Sequence, residues 1–164
     1  MRTLVLGLGS EIRRDDAAGL LIARRLRGMV RNGDVEVLES PVTGWSLLDL
    51  LVGYDKAVII DSVCTVEREV GRVHRLTLED VRQWSGCWSP HRANLVSVLE
   101  AGKALGLEIP AEIVIYAVEV SDPVGFATEL TAEVQRMLPD ITRRIAQEVL
   151  GPLPVSRSHR RLQT

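Results

Sequence analysis

A chain of 164 residues with 46% hydrophobic and 26% charged residues is large enough for one buried core and too short for two full domains. Its net charge of −2 gives no support for non-specific nucleic-acid binding through a broad basic surface, so we expect no nucleic-acid partner. No apolar run reaches the roughly 18 residues of a membrane span and no segment reads as a signal peptide, so we expect a cytoplasmic protein with no membrane partner.

The chain alternates apolar, β-branched runs with segments of helical period, which is typical of an α/β sheet. Strands are predicted at residues 3–7, 35–39, 56–61 and 112–120, and an alternating edge or antiparallel strand at 71–78. Helices are predicted at residues 15–30, 46–54, 78–84, 89–107 and 130–150, and Pro139 is expected to kink or divide the last of them.

These elements predict a single-domain α/β fold over residues 1–150. We expect a doubly wound, mostly parallel, twisted sheet with helices on both faces and room for one antiparallel strand. Residues 151–164 have no periodicity, two prolines and several basic side chains, which favours a flexible basic tail.

The stretch LVLGLGSEIRRDDAAG joins the first strand to the first helix through Gly7 and Gly9, as a phosphate-binding loop does. Glu39 ends the second strand, where a dinucleotide-binding fold keeps its ribose-binding acid. One alternative is therefore a nucleotide-binding, Rossmann-like oxidoreductase. Two features oppose it, because Ile12 takes the third glycine position and Asp16 lies where a pyrophosphate would bind.

The charges of Asp15 and Asp16 decide which ion this turn favours. A helix N-terminus stabilises a phosphate by about 0.3–1 kcal/mol. A single carboxylate about 4 Å away repels an anion by about 4 kcal/mol at an effective dielectric near 20. The turn therefore repels anions and suits a cation.

Further ligands for a cation are expected at the carboxyl ends of neighbouring parallel strands. Asp61 closes the strand KAVIID at that edge, where an acid after an apolar run is more often functional than merely solvated. His91, in SPH, precedes a predicted helix whose N-terminus keeps its imidazole neutral. Asp16, Asp61 and His91 would form a ligand set with open coordination positions. The sequence leaves their convergence open.

Four motifs in order resemble the hydrogenase maturation endopeptidases, which remove the C-terminal extension from the nickel-loaded large subunit of nickel–iron hydrogenase. The family begins with a strand, G-x-G-N and a D-D/E-x-x-G helix start, and GLGSEIRRDDAAG has the same spacing. VIIDSV is similar to the second acidic segment of the family, and SPH to the segment that carries its histidine. YAVEVSDPVGFATELTAEV is similar to the stretch that follows the last strand, so the resemblance spans about residues 1–150.

The resemblance implies a cytoplasmic hydrolase of the aspartyl protease kind, although not a classical two-aspartate protease with a shared proton. Its partner would be the hydrogenase large-subunit precursor. It makes Asp16, Asp61 and His91 both the catalytic residues and the ligands of the nickel that the substrate carries, with zinc or cadmium as possible substitutes. The metal or a carboxylate would orient a water molecule and polarise the scissile carbonyl.

Departures from the family pattern motivate a second alternative, a non-catalytic metal-binding or chaperone homologue. Ser10 replaces the usual Asn, and Ala17 stands where many members have Gly. After the second strand, the family's G-T-x-G is reduced to Gly44 within PVTG, residues 41–44. That loop is a candidate for selecting the substrate.

Other candidate residues have simpler interpretations. Asp15 is expected to cap a helix. Cys64 and Cys87 are expected to be small buried thiols, because they are too few to complete a structural zinc site with His91. His74 is expected to be structural or exposed.

Overall fold

The computed structural model describes residues 1–84, 87–88 and 95–152. Its strands are β1 Thr3–Leu8, β2 Val35–Ser40, β3 Lys56–Cys64, β4 Val73–Leu76, β5 Cys87–Trp88 and β6 Glu112–Glu119. Its helices are α1 Ala18–Arg27, α2 Ser46–Leu51, α3 Leu78–Gln83, α4 Leu95–Ala104 and α5 Ala132–Leu150, with a 3-10 turn at Arg14–Ala17 before α1.

The strands form one sheet in the order β2-β1-β3-β6-β4. The pairs β1–β2, β1–β3 and β3–β6 are parallel, whereas β4 runs antiparallel to β6 at the edge. The two residues of β5 extend the sheet by pairing antiparallel with the end of β3. Because β2 lies on one side of β1 and β3 on the other, the order of strands reverses at β1, and the crevice between β1 and β3 is the switch point of the fold.

Helices cover both faces of the sheet and create two apolar layers. On one face, α1 and α5 bury Ile22, Leu26, Leu138 and Ile145 against the sheet. On the other, α2 and α4 bury Leu47, Leu51, Leu95 and Leu99. The predicted single-domain, doubly wound α/β fold with one antiparallel edge strand is confirmed.

Local conformation moves several predicted boundaries. The first helix was expected from residue 15, but Arg14 has a positive φ of 40° and the chain makes a 3-10 turn before α1 begins. Glycines with positive φ, Gly53 and Gly106, follow α2 and α4, which end earlier than predicted. The strand β3 extends to Cys64, beyond the predicted end at Asp61.

Pro139 does not divide the last helix, which runs unbroken from Ala132 to Leu150. Leu138 and Ile141, on either side of the proline, are both buried against the sheet, so tertiary packing holds the helix together there. In the part of the chain that the structure describes, no helix is long and apolar enough to cross a membrane. The predicted tail lies outside the described residues from position 153 onward and stays a prediction.

Candidate functional site

Three glycines let the start of α1 lie directly against the ends of β1 and β3. A Cβ atom on Gly7 would come within 2.6 Å of the Ala23 Cβ, and one on Gly19 would come within 2.4 Å of the Leu8 carbonyl oxygen. Gly9 has a φ of +152°, and a Cβ there would come within 2.0 Å of the Asp16 carbonyl oxygen. The glycine turn is therefore filled by the protein's own backbone, and it serves close packing instead of cradling a phosphate.

This packing brings Asp16 to the end of β3, where Ser62 joins it to Asp61. The Ser62 hydroxyl donates a hydrogen bond to the Asp16 Oδ1 at 2.9 Å. The Ser62 backbone N–H donates one to the Asp61 Oδ1 at 2.8 Å. All three side chains are essentially fully buried. Two of the three predicted site residues thus hydrogen-bond to the same serine at the switch point.

Both carboxylates of this pair are buried, and each accepts a hydrogen bond from Ser62. Carboxylate oxygens are suitable ligands for divalent cations. We call Asp16 and Asp61 the acidic pair, and Ser62 is the serine that hydrogen-bonds to both.

The predicted third ligand, His91, lies outside the described residues. Within the described ranges, no three His, Cys, Asp or Glu side chains are grouped as a metal site. Of the three predicted ligands, the described residues therefore include two, Asp16 and Asp61.

Asp15 points the other way from Asp16 and anchors a distant loop. Its carboxylate accepts hydrogen bonds from the backbone N–H of Asp122 at 2.8 Å and of Thr131 at 2.7 Å, and from the Thr131 hydroxyl at 2.9 Å. Neither the 3-10 turn nor α1 has a side-chain cap. The expectation that Asp15 caps its own helix is therefore wrong, since its hydrogen bonds hold residues 122–131 in place before α5.

The loop that Asp15 anchors lies beside the glycine turn. The Arg14 N–H donates to the Ala127 carbonyl oxygen at 3.0 Å, and the Ala127 N–H donates to the Ile12 carbonyl oxygen at 3.2 Å. The Arg13 guanidinium lies 5.9 Å from the centre of the Phe126 ring. Two loops at the carboxyl edge are thus joined into one surface.

Loops at this edge of the sheet expose several large apolar side chains. The loops that follow β1, β2, β3 and β6 carry exposed large hydrophobic side chains, with Phe126 79% and Trp45 62% exposed; the set, which we call the apolar rim, is Ile12, Trp45, Val66, Val124 and Phe126. Exposed apolar patches of this kind mark surfaces that bind other proteins or ligands. Trp45 directly follows the loop 41–44 that the sequence marks as a candidate for selecting the substrate.

A second buried acid, Glu119, lies at the end of β6. Its carboxylate accepts hydrogen bonds from the Thr65 hydroxyl and from the Glu69 backbone N–H at 3.0 Å, and lies 3.2 Å from the His74 Nε2. Burial alone would raise the pKa of Glu119, but these hydrogen bonds outweigh burial and lower it. His74 also packs edge-on against Trp84 with ring centres 5.0 Å apart, so its structural interpretation is confirmed.

Glu39, on which the nucleotide alternative depends, is held by arginines. Its carboxylate pairs with the Arg24 guanidinium at 2.7 Å and with the Arg27 guanidinium at 2.9 Å. A ribose would have to displace both charge-assisted contacts. Together with the filled glycine turn, this geometry opposes the nucleotide-binding alternative.

Sequence reasoning missed Ser62 and Glu119. Ser62 lies within VIIDSV, but a serine after a strand-ending acid carries no signal of its own. Glu119 reads as an ordinary polar residue near the end of a strand. Only its burial and its three donors distinguish it.

Comparison with known proteins gives consistent results. The family model described as hydrogenase maturation protease, HycI, matches residues 20–148. The hydrogenase 2 maturation protease of Escherichia coli strain K12 is 27% identical over 164 residues, which cover 97% of this chain and 99% of that protein.

Solved structures have the same fold. The hydrogenase maturating endopeptidase HybD from Escherichia coli superposes with a TM-score of 0.77 at 26% identity, covering 92% of this chain and 94% of that one. A nickel–iron hydrogenase maturation protease, HybD, from Thermococcus kodakarensis has a TM-score of 0.70 at 24% identity, covering 93% of this chain and all of that one. At that identity, the second likeness shows the fold alone.

Proposed function

The chain belongs to the hydrogenase maturation protease family, and on that premise we propose that it removes the C-terminal extension of a nickel-loaded hydrogenase large-subunit precursor. The observation that carries the proposal is the acidic pair, buried at the switch point and joined through Ser62. Open α/β sheets bind their ligands at this place. The family match begins at residue 20, so the role of Asp16 is argued from geometry and not from the match.

The acidic pair would act as ligands of the substrate's nickel. Two carboxylates held by one serine would bind a dication, whereas a precursor without nickel offers them no positive charge to bind. Binding would therefore depend on the metal being present, which makes nickel the feature that marks a precursor as ready for cleavage. His91 is proposed as the third ligand, on the sequence argument alone.

Hydrolysis would use the same groups. A nickel ion held by Asp16 and Asp61 would polarise the scissile carbonyl, and a carboxylate oxygen would accept a proton from the attacking water. The water oxygen would bond to the carbonyl carbon, and the proton would leave with the amine of the released extension. Ser62 would fix the orientation of both carboxylates through its hydroxyl and its N–H.

The apolar rim would bind the polypeptide of the precursor around the metal. Phe126 and Trp45 lie in loops on the same edge as the acidic pair, and the hydrogen bonds of Asp15 hold the loop that carries Phe126. Exposed aromatic side chains supply large contact areas at protein interfaces. Docking at the rim would bring the extension to the carboxylates.

The test incubates the purified chain with a large-subunit precursor in two forms, loaded with nickel and free of nickel, and follows the mass of the precursor. We expect the C-terminal extension to be lost from the nickel-loaded form alone. An E. coli maturation protease with its own precursor serves as the control for the nickel loading.

Two outcomes would contradict the proposal. Binding of the nickel-loaded precursor without cleavage would favour the non-catalytic homologue. Equal cleavage of the nickel-free precursor would leave the protease activity in place and remove the proposed role of the metal.

A further inference from the structure

The chain has two cysteines, and the sheet places them directly opposite each other. In the antiparallel pairing of β3 with β5, Cys64 is the register partner of Cys87, and Val63 that of Trp88. No other cysteine is present in the 164 residues. The two residues lie 23 positions apart in the sequence, so the fold alone brings them together.

This register satisfies the main distance requirement of a disulfide. Directly opposite residues of an antiparallel pair have Cα atoms about 4.5 or 5.5 Å apart, according to the type of pair. Disulfides span Cα separations of about 4.4–6.8 Å. Both types of pair fall within that range, so a bond between the sulfurs requires no change of register.

Cys64 is accessible for the chemistry. Its thiol is free and the residue is half-buried, not buried as the sequence suggested. Since a thiolate must approach a disulfide sulfur in line to react, partial exposure is what such an exchange requires.

We propose that Cys64 and Cys87 form a reversible intramolecular disulfide. The oxidant is a low-molecular-weight disulfide. The Cys64 thiolate attacks one of its sulfurs and releases the first small thiol, and the Cys87 thiolate then attacks the mixed disulfide and releases the second. The two cysteines lose two protons and two electrons, and the small disulfide takes up both and becomes two thiols.

The bond would connect two segments of the candidate site. Cys64 lies three residues after Asp61, and Cys87 lies four residues before His91. A disulfide would tie the segment that carries the proposed third ligand to the strand that carries the second. This consequence rests on the proposed function, whereas the disulfide itself does not.

The experiment uses the full chain and oxidised glutathione as the oxidant. The reduced protein is equilibrated with oxidised glutathione, the remaining thiols are blocked with iodoacetamide, and the protein is digested with trypsin without reduction. Cleavage after Lys56, Arg68, Arg82 and Arg92 separates the cysteines into peptides 57–68 and 83–92. We expect these two peptides joined by a disulfide, in a protein that migrates as a single chain without reductant.

Matched variants and melting curves complete the test. In Cys64→Ser and Cys87→Ser, the remaining cysteine is expected to carry glutathione without any joined peptide. The oxidised wild-type chain is expected to melt at the same temperature as the reduced chain or up to about 10 °C higher, because the register is already formed.

Three results would overturn the proposal: glutathione on both cysteines of the wild type, joined peptides only in covalent dimers, or a lower melting temperature after oxidation. Because the peptide map needs no hydrogenase precursor, its failure is distinct from failure of the proposed function. The cleavage assay, repeated on the oxidised chain, then tests the consequence for the site.

Discussion

Asp15 and Asp16 are adjacent aspartates and both are buried, yet their side chains contact two different parts of the molecule. Asp15 accepts hydrogen bonds from Asp122 and Thr131 and holds a loop that starts 107 residues away. Asp16 faces Ser62 and the end of β3, where it forms the acidic pair with Asp61. The first position is structural and the second is proposed to bind the metal.

The comparison shows that burial of an acid does not by itself identify a functional site. The carboxylate of Asp15 is surrounded by backbone N–H groups and a hydroxyl, which stabilise its negative charge. These hydrogen bonds indicate a structural role. Asp16 shares its partner Ser62 with a second buried carboxylate, that of Asp61. A partner shared with a second acid at the switch point, and not burial, marks the candidate site.

Asp16→Asn separates the two roles most sharply. We expect cleavage of the nickel-loaded precursor to fall by more than about 100-fold, because a neutral amide replaces a charged ligand. The unfolding free energy should change by less than about 1 kcal/mol, because the amide oxygen still accepts from Ser62. Rates followed by precursor mass, together with urea unfolding, measure both quantities.

For Asp16→Asn, the matched control is Ser62→Ala, which keeps both carboxylates and removes the hydroxyl between them. A large loss of stability in Asp16→Asn with cleavage intact would make Asp16 a structural residue like its neighbour.

Asp15→Asn should show the opposite pattern. Its amide can accept from fewer of the three donors and turns an NH2 group toward an N–H, so we expect a loss of about 2–4 kcal/mol in unfolding free energy. Cleavage measured well below the melting temperature should stay within about tenfold of the wild type. Urea unfolding at 15 °C and cleavage at the same temperature provide the comparison. Unchanged stability would mean that loop 122–131 is held by other contacts.

Glu119→Gln tests a third buried acid and should have the smallest effect, about 1–2 kcal/mol at pH 7. Because the folded-state pKa of Glu119 is lowered below its usual value of 4.5, its stabilisation is present above that value and is lost as the pH falls through the folded-state pKa. The difference in unfolding free energy between wild type and variant should therefore shrink between pH 7 and pH 3. Parallel urea titrations across this range measure it.

A difference between wild type and Glu119→Gln that grows on acidification would mean that Glu119 is protonated in the fold. Cleavage by this variant at pH 7 should match the wild type, since Glu119 is paired with Thr65 and His74 and not with the acidic pair.

Much of the fold could be predicted because strands and helices follow from the order of apolar and polar residues in short segments. The apolar run of β3 and the helical period of α5 each follow from a few neighbouring residues. Pro139 misled the prediction, because its cost to a helix is local whereas the burial of Leu138 and Ile141 that offsets it is tertiary. The two-residue strand β5 carries too few residues for a periodic signal.

In the candidate site, too, some residues could be predicted from the sequence and others could not. Asp16 and Asp61 were placed at the carboxyl edge by their positions after predicted strands, and in the structure both hydrogen-bond to Ser62. The role of Ser62 was not predictable, since its hydroxyl acts on a residue 46 positions away. His91 stays a sequence prediction.

The sequence by itself determined the alternation of strands and helices, the edge at which polar residues collect and the sign of the charge there, because period and polarity are properties of short segments. Tertiary structure alone decided which of two adjacent aspartates faces the site, which serine joins the acids and which cysteines lie opposite each other. These outcomes depend on crossover connections that bring together groups between 23 and 116 residues apart, and no short segment contains both partners.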